Sequence, residues 1–335
     1  MVKSIDVALQ GGGSHGAFTW GVLDRLLDEP GFKITGVSGT SAGAMNAVAL
    51  AQGLVEEGPA KAKTLLCTYW EKVTASAAFS PLQRTPFDRF FSGWNLDHSP
   101  MYKMLDTWSQ FFSPYDVIDF GSHPLKEIVE STFSFDAINK SKKIKVFQSA
   151  TNVKTGRLTI FRQPSLSVET TLASACLPTL YRAVEIADQA YWDGGYMGNP
   201  PIIPLIRETD TRDTVIVQIN PFRREEIPKS SSEINNRLNE ITFNSSLVRE
   251  IEGLGFLKAL VTDQDLPLDE FRNGRLHRIA ADEQMRELSA SSKMNASPDF
   301  VKYLFDLGRH TCEQWLEENG DRVGRETTWL PKAED

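Results

Sequence analysis

The sequence predicts an α/β fold in which helices lie on the faces of a parallel sheet. Three observations predict it. Short apolar strands run straight into glycine turns, apolar-periodic helices start on those turns, and 335 residues suffice to bury a large core. Strand, glycine turn, helix, given twice between residues 5 and 52, is the rhythm of parallel strands joined by helical crossovers.

Residues 5–10 read as a short buried strand that ends in Gly11-Gly12-Gly13. Ala17, Trp20, Gly21, Leu23, Leu26 and Leu27 then recur at helical spacing until Pro30-Gly31. A second strand, 34–38, stops at Gly39-Thr40-Ser41-Ala42-Gly43, and an Ala-rich helix follows to about Gln52. Residues 57–76 form an amphipathic helix. The stretch 79–120 breaks the rhythm with eleven aromatics among prolines and glycines, and reads as an insertion or cap over one end of the sheet. The rhythm resumes with strands at 143–152 and 157–162, a helix over 167–175 and a β-branched strand at 214–219. After Pro221 the chain is polar and mostly helical (231–263 and 297–319), with one short strand at 275–280. No composition break separates a second domain. Residues 1–220 are therefore expected to form the catalytic α/β domain, with 221–335 a helical extension packed on it.

Composition excludes several classes of function. A net charge of −8 argues against nucleic-acid binding and offers no general attraction to anionic membranes. Cys67, Cys176 and Cys312 lack metal-ligand spacing and suit a reducing compartment. No D-x-D-x-D-G loop is present, so neither metal nor cofactor is expected. With no signal-like apolar run at the start and no membrane-length span, the expectation is a soluble cytoplasmic protein.

Gly11-Gly12-Gly13-Ser14-His15-Gly16 has the G-x-G-x-x-G spacing of a dinucleotide loop. That use also needs a carboxylate at the end of the second strand to hold a ribose, and Gly39-Thr40-Ser41 stands there instead. What remains is a set of backbone amides at a helix start, suited to an anion. For a transient anion the loop is an oxyanion hole, each donor worth about 3 kcal/mol in the transition state. A tight turn using glycine for positive φ is the plainer reading, but three consecutive glycines exceed its needs.

Gly39-Thr40-Ser41-Ala42-Gly43 is a G-x-S-x-G pattern between a predicted strand and helix, the context in which Ser41 becomes an exposed nucleophile. Helix capping by Thr40 or Ser41 is the competing use. A serine needs a proton acceptor. His98, His123, His277 and His310 are the histidines after it, and none lies in a glycine turn that would aim it. Asp193, directly before Gly194-Gly195, is a candidate base, although the same pattern serves as a hairpin turn.

In this order, GGGSHG, GTSAG and DGG resemble the patatin-like phospholipase family. The resemblance covers roughly residues 5–220 and extends to SATNVKTGRL (149–158), ASACLPTLY (173–181) and DGGYMGNPP (193–201). It implies a three-layer α/β/α fold with a mostly parallel sheet and a Ser–Asp dyad without histidine. By position Ser41 is then the nucleophile, Asp193 the general base, and Gly11, Gly12 and Gly13 the oxyanion donors. His15 stands where the family usually carries Arg or Lys, which puts a fixed positive charge there in doubt.

The expected reaction is hydrolysis of a lipid-like acyl ester: phospholipid, lysophospholipid or a related ester. Phe87, Phe90, Phe91 and Trp94 are candidate acyl-chain contacts, with ordinary core packing as the alternative. Exposed aromatics there would give peripheral membrane contact, and the polar extension after 221 offers a surface for self-association. Three alternatives stay open: a histidine-dependent α/β-hydrolase, a nucleotide-binding oxidoreductase, and a non-catalytic lipid-binding protein.

Overall fold

Apolar side chains alternate along β1 (Lys3–Leu9), so Ile5, Val7 and Leu9 enter one core and Ala8 enters another. The computed structural model describes residues 2–78, 80, 82–85, 88, 93–116, 124–264 and 266–330. On one edge of β1 lies β2 (Phe32–Gly39), parallel, with Leu9 opposite Gly39; on the other lies β7 (Asp213–Val217), also parallel, with Leu9 opposite Val217. Beyond these, β3 (Lys145–Asn152) runs parallel to β2, and β8 (Arg275–Ile279) runs parallel to β7. Three short strands add antiparallel pairing: β4 (Leu158–Arg162) and β6 (Gln189–Asp193) on β3, and β5 (Val184–Ile186) on β6. Among the described residues the sheet is eight-stranded, in the order β5-β6-β3-β2-β1-β7-β8 with β4 beside β3.

Helices cover both faces. α1 (Gly16–Leu27), α2 (Ala42–Glu56), α3 (Pro59–Ala77) and α12 (Pro298–Asn319) bury their apolar sides in the core that receives Val7, Leu9, Val37, Val146 and Val217. On the opposite face, α8 (Ile203–Glu208) and α9 (Ser231–Asp263) pack Leu205, Ile206, Leu247 and Ile251 on Ala8, Phe147, Ile216 and Leu276. α9 starts at a capping box, Ser230 and Glu233 satisfying each other's backbone amides. The remaining helices are α4 (Pro100–Phe111), α5 (Pro124–Thr132), α6 (Phe135–Lys140), α7 (Val168–Ser174), α10 (Asp269–Arg272) and α11 (Asp282–Arg286). The result is the three-layer α/β/α fold with a mostly parallel sheet that the sequence leads one to expect.

Two features are informative. The β5–β6 hairpin lies outside the expected elements: three-residue β5 leaves almost no periodic signal, and β6 carries polar residues at both ends. The strand expected at 275–280 is present as β8, and it joins the central sheet beside β7 while α12 lies along α1, so the C-terminal part is built into the fold.

Strand order reverses at β1, since the chain proceeds to β2 and β3 on one side and to β7 and β8 on the other. Crevices at the carboxyl ends of strands beside such a reversal are where open α/β sheets take ligands. Both glycine turns lie at that end.

Candidate active site

β2 ends at Gly39, and the chain enters α2 through Thr40 and Ser41. The turn is tight: the Gly43 amide donates to the Thr40 carbonyl at 2.7 Å, and a β-carbon on Gly43 would strike the Leu9 carbonyl. Ser41 takes φ 54° and ψ −124°. Holding a non-glycine residue there costs about 1–3 kcal/mol, and such strain concentrates at functional sites. Its amide donates to Ser174 Oγ at 3.0 Å, at the end of α7. Ser41 is thus buried, strained and at the positive end of the α2 dipole.

The glycine loop leans on this serine. A β-carbon on Gly11 would lie 2.8 Å from Ser41 Cβ, so only glycine allows the approach. Gly11 does not keep its amide free, however. That amide donates to Asn199 Oδ1 at 2.6 Å, and the Gly11 carbonyl accepts from Asn220 Nδ2 at 3.0 Å. Of the three amides expected to hold an oxyanion, this one is committed to fixing the loop. The Gly12 and Gly13 amides have no acceptor among the described residues, and neither has Ala42 at the first position of α2.

His15 is buried behind the loop. Its Nε2 meets Ser292 Oγ at 2.7 Å, its ring stands edge-on to Phe300, and Nδ1 has no partner among the described residues. Burial, assisted by the nearby Lys293, pulls its pKa down to about 3, so the ring is neutral at physiological pH.

Asp193 closes β6, opposite Ala150 of β3, and is fully buried. It does not form a hairpin turn: the β5–β6 hairpin bends at Ala187-Asp188, and Asp193 caps the short 3-10 turn Gly194–Tyr196. Its Oδ1 accepts from the Gly195 amide at 2.7 Å. Oδ2 reaches no partner at hydrogen-bond geometry among the described residues, although the Ser41 hydroxyl is near enough to favour the ionised form. Burial raises the Asp193 pKa to about 6, against the opposing pull of the Gly195 amide, the Ser41 hydroxyl and Lys293. Contacts of Thr40 Oγ1 with Ser149 Oγ (2.6 Å) and with the Gly198 carbonyl (2.6 Å) tie the serine turn to the aspartate turn.

Among the described residues no histidine is bonded to Ser41 or Asp193. His277 is fully buried with both ring nitrogens engaged, by Thr328 Oγ1 and Asp213 Oδ1 at 2.9 Å each, at the end of the sheet away from Ser41. His98 and His310 are exposed, and His123 lies outside the described residues.

Phe87, Phe90 and Phe91 also lie outside the described residues. Trp94 stacks on Phe300 and Tyr303 at 5.2 and 5.3 Å and carries the Arg84 guanidinium 4.4 Å above its ring. It is packed against α12.

Asn199, Ser174, Phe243 and Lys293 are at the site and were not singled out as site residues. Asn199 and Ser174 fall within the DGGYMGNPP and ASACLPTLY stretches, so the resemblance held a signal for them. Lys293 lies in no motif.

A strained hydroxyl, a buried carboxyl with one open oxygen, and unpaired amides at a helix start are the parts that acyl transfer needs.

The sequence model described as Patatin-like phospholipase matches residues 7–206, more than half of the chain. No curated protein matches. Among solved structures the chain is similar to VipD from Legionella pneumophila, with 16% identity, a TM-score of 0.43, and coverage of 95% of this chain and 67% of that one. It is also similar to the type III effector ExoU, with 16% identity, a TM-score of 0.33, and coverage of 95% and 53%. A third similar structure is the ExoU–SpcU complex from the type III secretion system of Pseudomonas aeruginosa, with 15% identity and a TM-score of 0.32. It is covered to 92% of this chain and 52% of that chain. The chain thus spans about two thirds of VipD and about half of ExoU.

Proposed function

The chain belongs to the patatin-like phospholipase family, a family of lipid acyl hydrolases, and on that premise we propose that it hydrolyses lipid-like acyl esters with Ser41 as nucleophile and Asp193 as general base. The observation that carries this reading is the open Oδ2 of a fully buried aspartate beside a serine at positive φ. Buried polar atoms are nearly always satisfied, so an orphan next to a strained hydroxyl calls for a role.

In the first step Ser41 Oγ attacks the ester carbonyl carbon while its proton passes to Asp193. The carbonyl electron pair moves to oxygen, where the Gly12, Gly13 and Ala42 amides receive it. The intermediate collapses, the alcohol leaves with the proton from Asp193, and an acyl-serine remains. Water then attacks that ester with Asp193 again as base, releasing the acid. A pKa of about 6 suits the task better than an ordinary aspartate, since a general base works best when its pKa is near the working pH.

Phospholipid and lysophospholipid are the proposed substrate class. Peripheral contact with a lipid surface is supported by Trp108, Phe111, Phe112 and Tyr115, which stand exposed on α4 and just after it. No described helix is long and apolar enough to cross a membrane. Acyl-chain contact by Phe87, Phe90 and Phe91 is part of the same proposal.

A fluorophosphonate probe is expected to label Ser41, and wild type to hydrolyse a p-nitrophenyl acyl ester and members of a phospholipid panel. Ser41→Ala should lose both properties, and Asp193→Asn should lose turnover by at least about a thousandfold. Full turnover in Asp193→Asn would overturn the dyad. Lipid retention without hydrolysis by wild type would point to a binding protein on the same fold.

A further inference from the structure

Lys293 is a half-buried cation to which the mechanism above assigns no task. It belongs to the 3-10 turn Ala290–Met294, between α11 and α12 and far in sequence from every motif of the site. Its backbone abuts the glycine loop: Gly13 has φ +57°, and a β-carbon there would run into the Lys293 carbonyl oxygen. The preceding residue, Ser292, holds the ring of His15. Lys293 Nζ donates to Asn239 Oδ1 at 2.7 Å and stands 5.1 Å from the centre of the Phe243 ring. That ring lies against Gly195, where a β-carbon would come within 2.7 Å of Phe243 Cδ1, and the Gly195 amide is the one bonded to Asp193. One residue therefore links the loop that receives the oxyanion, through its backbone, to the turn that carries the base, through its side chain and Phe243.

The charges around it leave Lys293 as the cation that acts on Asp193 among the described residues. From the glycine loop it faces His15, which is neutral. From α9 it faces Glu240, whose carboxylate is already taken by Arg224 and Arg237. From the aspartate turn it faces Asp193, whose titratable neighbours Cys176 and Tyr196 are both pushed up to about 12 by burial and stay protonated.

We propose that Lys293 is the electrostatic positioning residue of the hydrolytic site, its ammonium holding the reaction's negative charge as that charge passes from the Asp193 carboxylate to the ester oxygen in the glycine loop. This rests on the Ser41–Asp193 reading. In the attack step the Ser41 O–H bond breaks, its proton neutralises Asp193, the Oγ–carbon bond forms, and the carbonyl π pair becomes the oxyanion. One negative charge exists before and after, and only its place changes. In a water-poor site an uncompensated charge is expensive at either place. An ammonium whose field reaches Asp193, on a turn that abuts the glycine loop, offsets that charge and needs no rearrangement. Burial also pulls the Lys293 pKa down to about 8, against the opposing fields of Glu240 and Asp193, so the cation is lost in mildly alkaline solution.

A lysine that only pins the turn to Asn239 and Phe243 would make the same contacts, and titration separates the two roles. The full chain is assayed from pH 4.5 to 10 with a p-nitrophenyl acyl ester, as wild type, Lys293→Met and Lys293→Arg. Wild-type kcat/KM should rise through about pH 6 and fall through about pH 8. In Lys293→Met, kcat should drop about 10- to 100-fold with little change in KM, the acid limb should move up by about one pH unit, and the alkaline fall should vanish. Lys293→Arg should recover kcat to within about threefold of wild type and stay active above pH 9, because a guanidinium keeps its charge. Wild-type kcat and unmoved limbs in Lys293→Met would overturn the proposal. So would a loss that arginine fails to rescue while the acid limb stays put. If thermal melts show the Met variant unfolded, the Arg variant decides, since an alkaline limb retained there overturns the proposal. Ser41→Ala and Asp193→Asn run alongside keep the two ideas apart. If they hydrolyse like wild type, the dyad falls and this inference with it; if they are inactive while both Lys293 variants match wild type, the inference falls alone.

Discussion

Asp193 is held where its charged form is least welcome, and that choice has a measurable cost. Its folded pKa, about 6, lies above the ordinary 3.8 because of burial. The stabilising term it contributes is complete below the unfolded value and is lost as pH rises through about 6. The folded protein is therefore less stable at pH 7 than this site alone would allow, by about 2–3 kcal/mol. Asp193→Asn should raise the urea midpoint at pH 7 and flatten its change between pH 4 and 7, while removing activity. Asn199 works in the opposite sense. Its Oδ1 holds the Gly11 amide and its Nδ2 donates to the Phe243 carbonyl at 3.0 Å. Asn199→Ala leaves the buried Gly11 amide without its acceptor and is expected to lower stability by about 1–3 kcal/mol and kcat by at least tenfold, measured by melts and ester turnover. At this scale the legible residues were those whose meaning is local. Ser41 announces itself through the flanking Gly39 and Gly43 and its place between strand and helix. Asp193 rests mainly on resemblance, because an aspartate before two glycines suits a hairpin equally well. Lys293, Ser174 and Asn199 acquire their roles from contacts across more than a hundred residues of chain, which no local pattern encodes.

The elements were read with uneven success for reasons of length and surroundings. β1, β2, β3 and β7 are apolar strands flanked by turn residues, and each was anticipated to within a few residues. β5 and β6 were missed because they are short and half-buried, so apolar alternation is weak. The aromatic stretch left two readings open on composition, acyl-chain contact and core packing. Trp94 was a candidate acyl-chain contact, yet it is stacked on α12 through Phe300 and Tyr303 and lies under Arg84. Trp94→Ala should lower the unfolding free energy by about 2 kcal/mol or more and leave acyl chain-length preference unchanged. A change in that preference, measured across p-nitrophenyl esters of increasing length, would return Trp94 to the substrate site.

Across the whole molecule, the two ends of the chain are interleaved. β8 extends the sheet beside β7, Val217 opposite Ile279, and α12 buries Phe300, Val301, Leu304 and Trp315 in the core shared with α1. At about 1.5–3 kcal/mol for each large apolar side chain, α12 contributes several kcal/mol of burial. A chain stopped after residue 297 should expose the partner face of α1 and bind a hydrophobic dye, with no ester turnover. Soluble, dye-negative and active product would mean that the first 297 residues suffice. α1 and α12 cross closely enough that a β-carbon on Gly21 would hit the Phe305 carbonyl, and one on Gly308 the Phe18 carbonyl. That crossing sets an order in time. The helix emerging directly after the glycine loop has to wait for residues 298–319 before it meets its partner. A nascent chain that already carries all three motifs is still without its Lys293 turn and its cover over α1, so the site those motifs build is completed only after both have emerged.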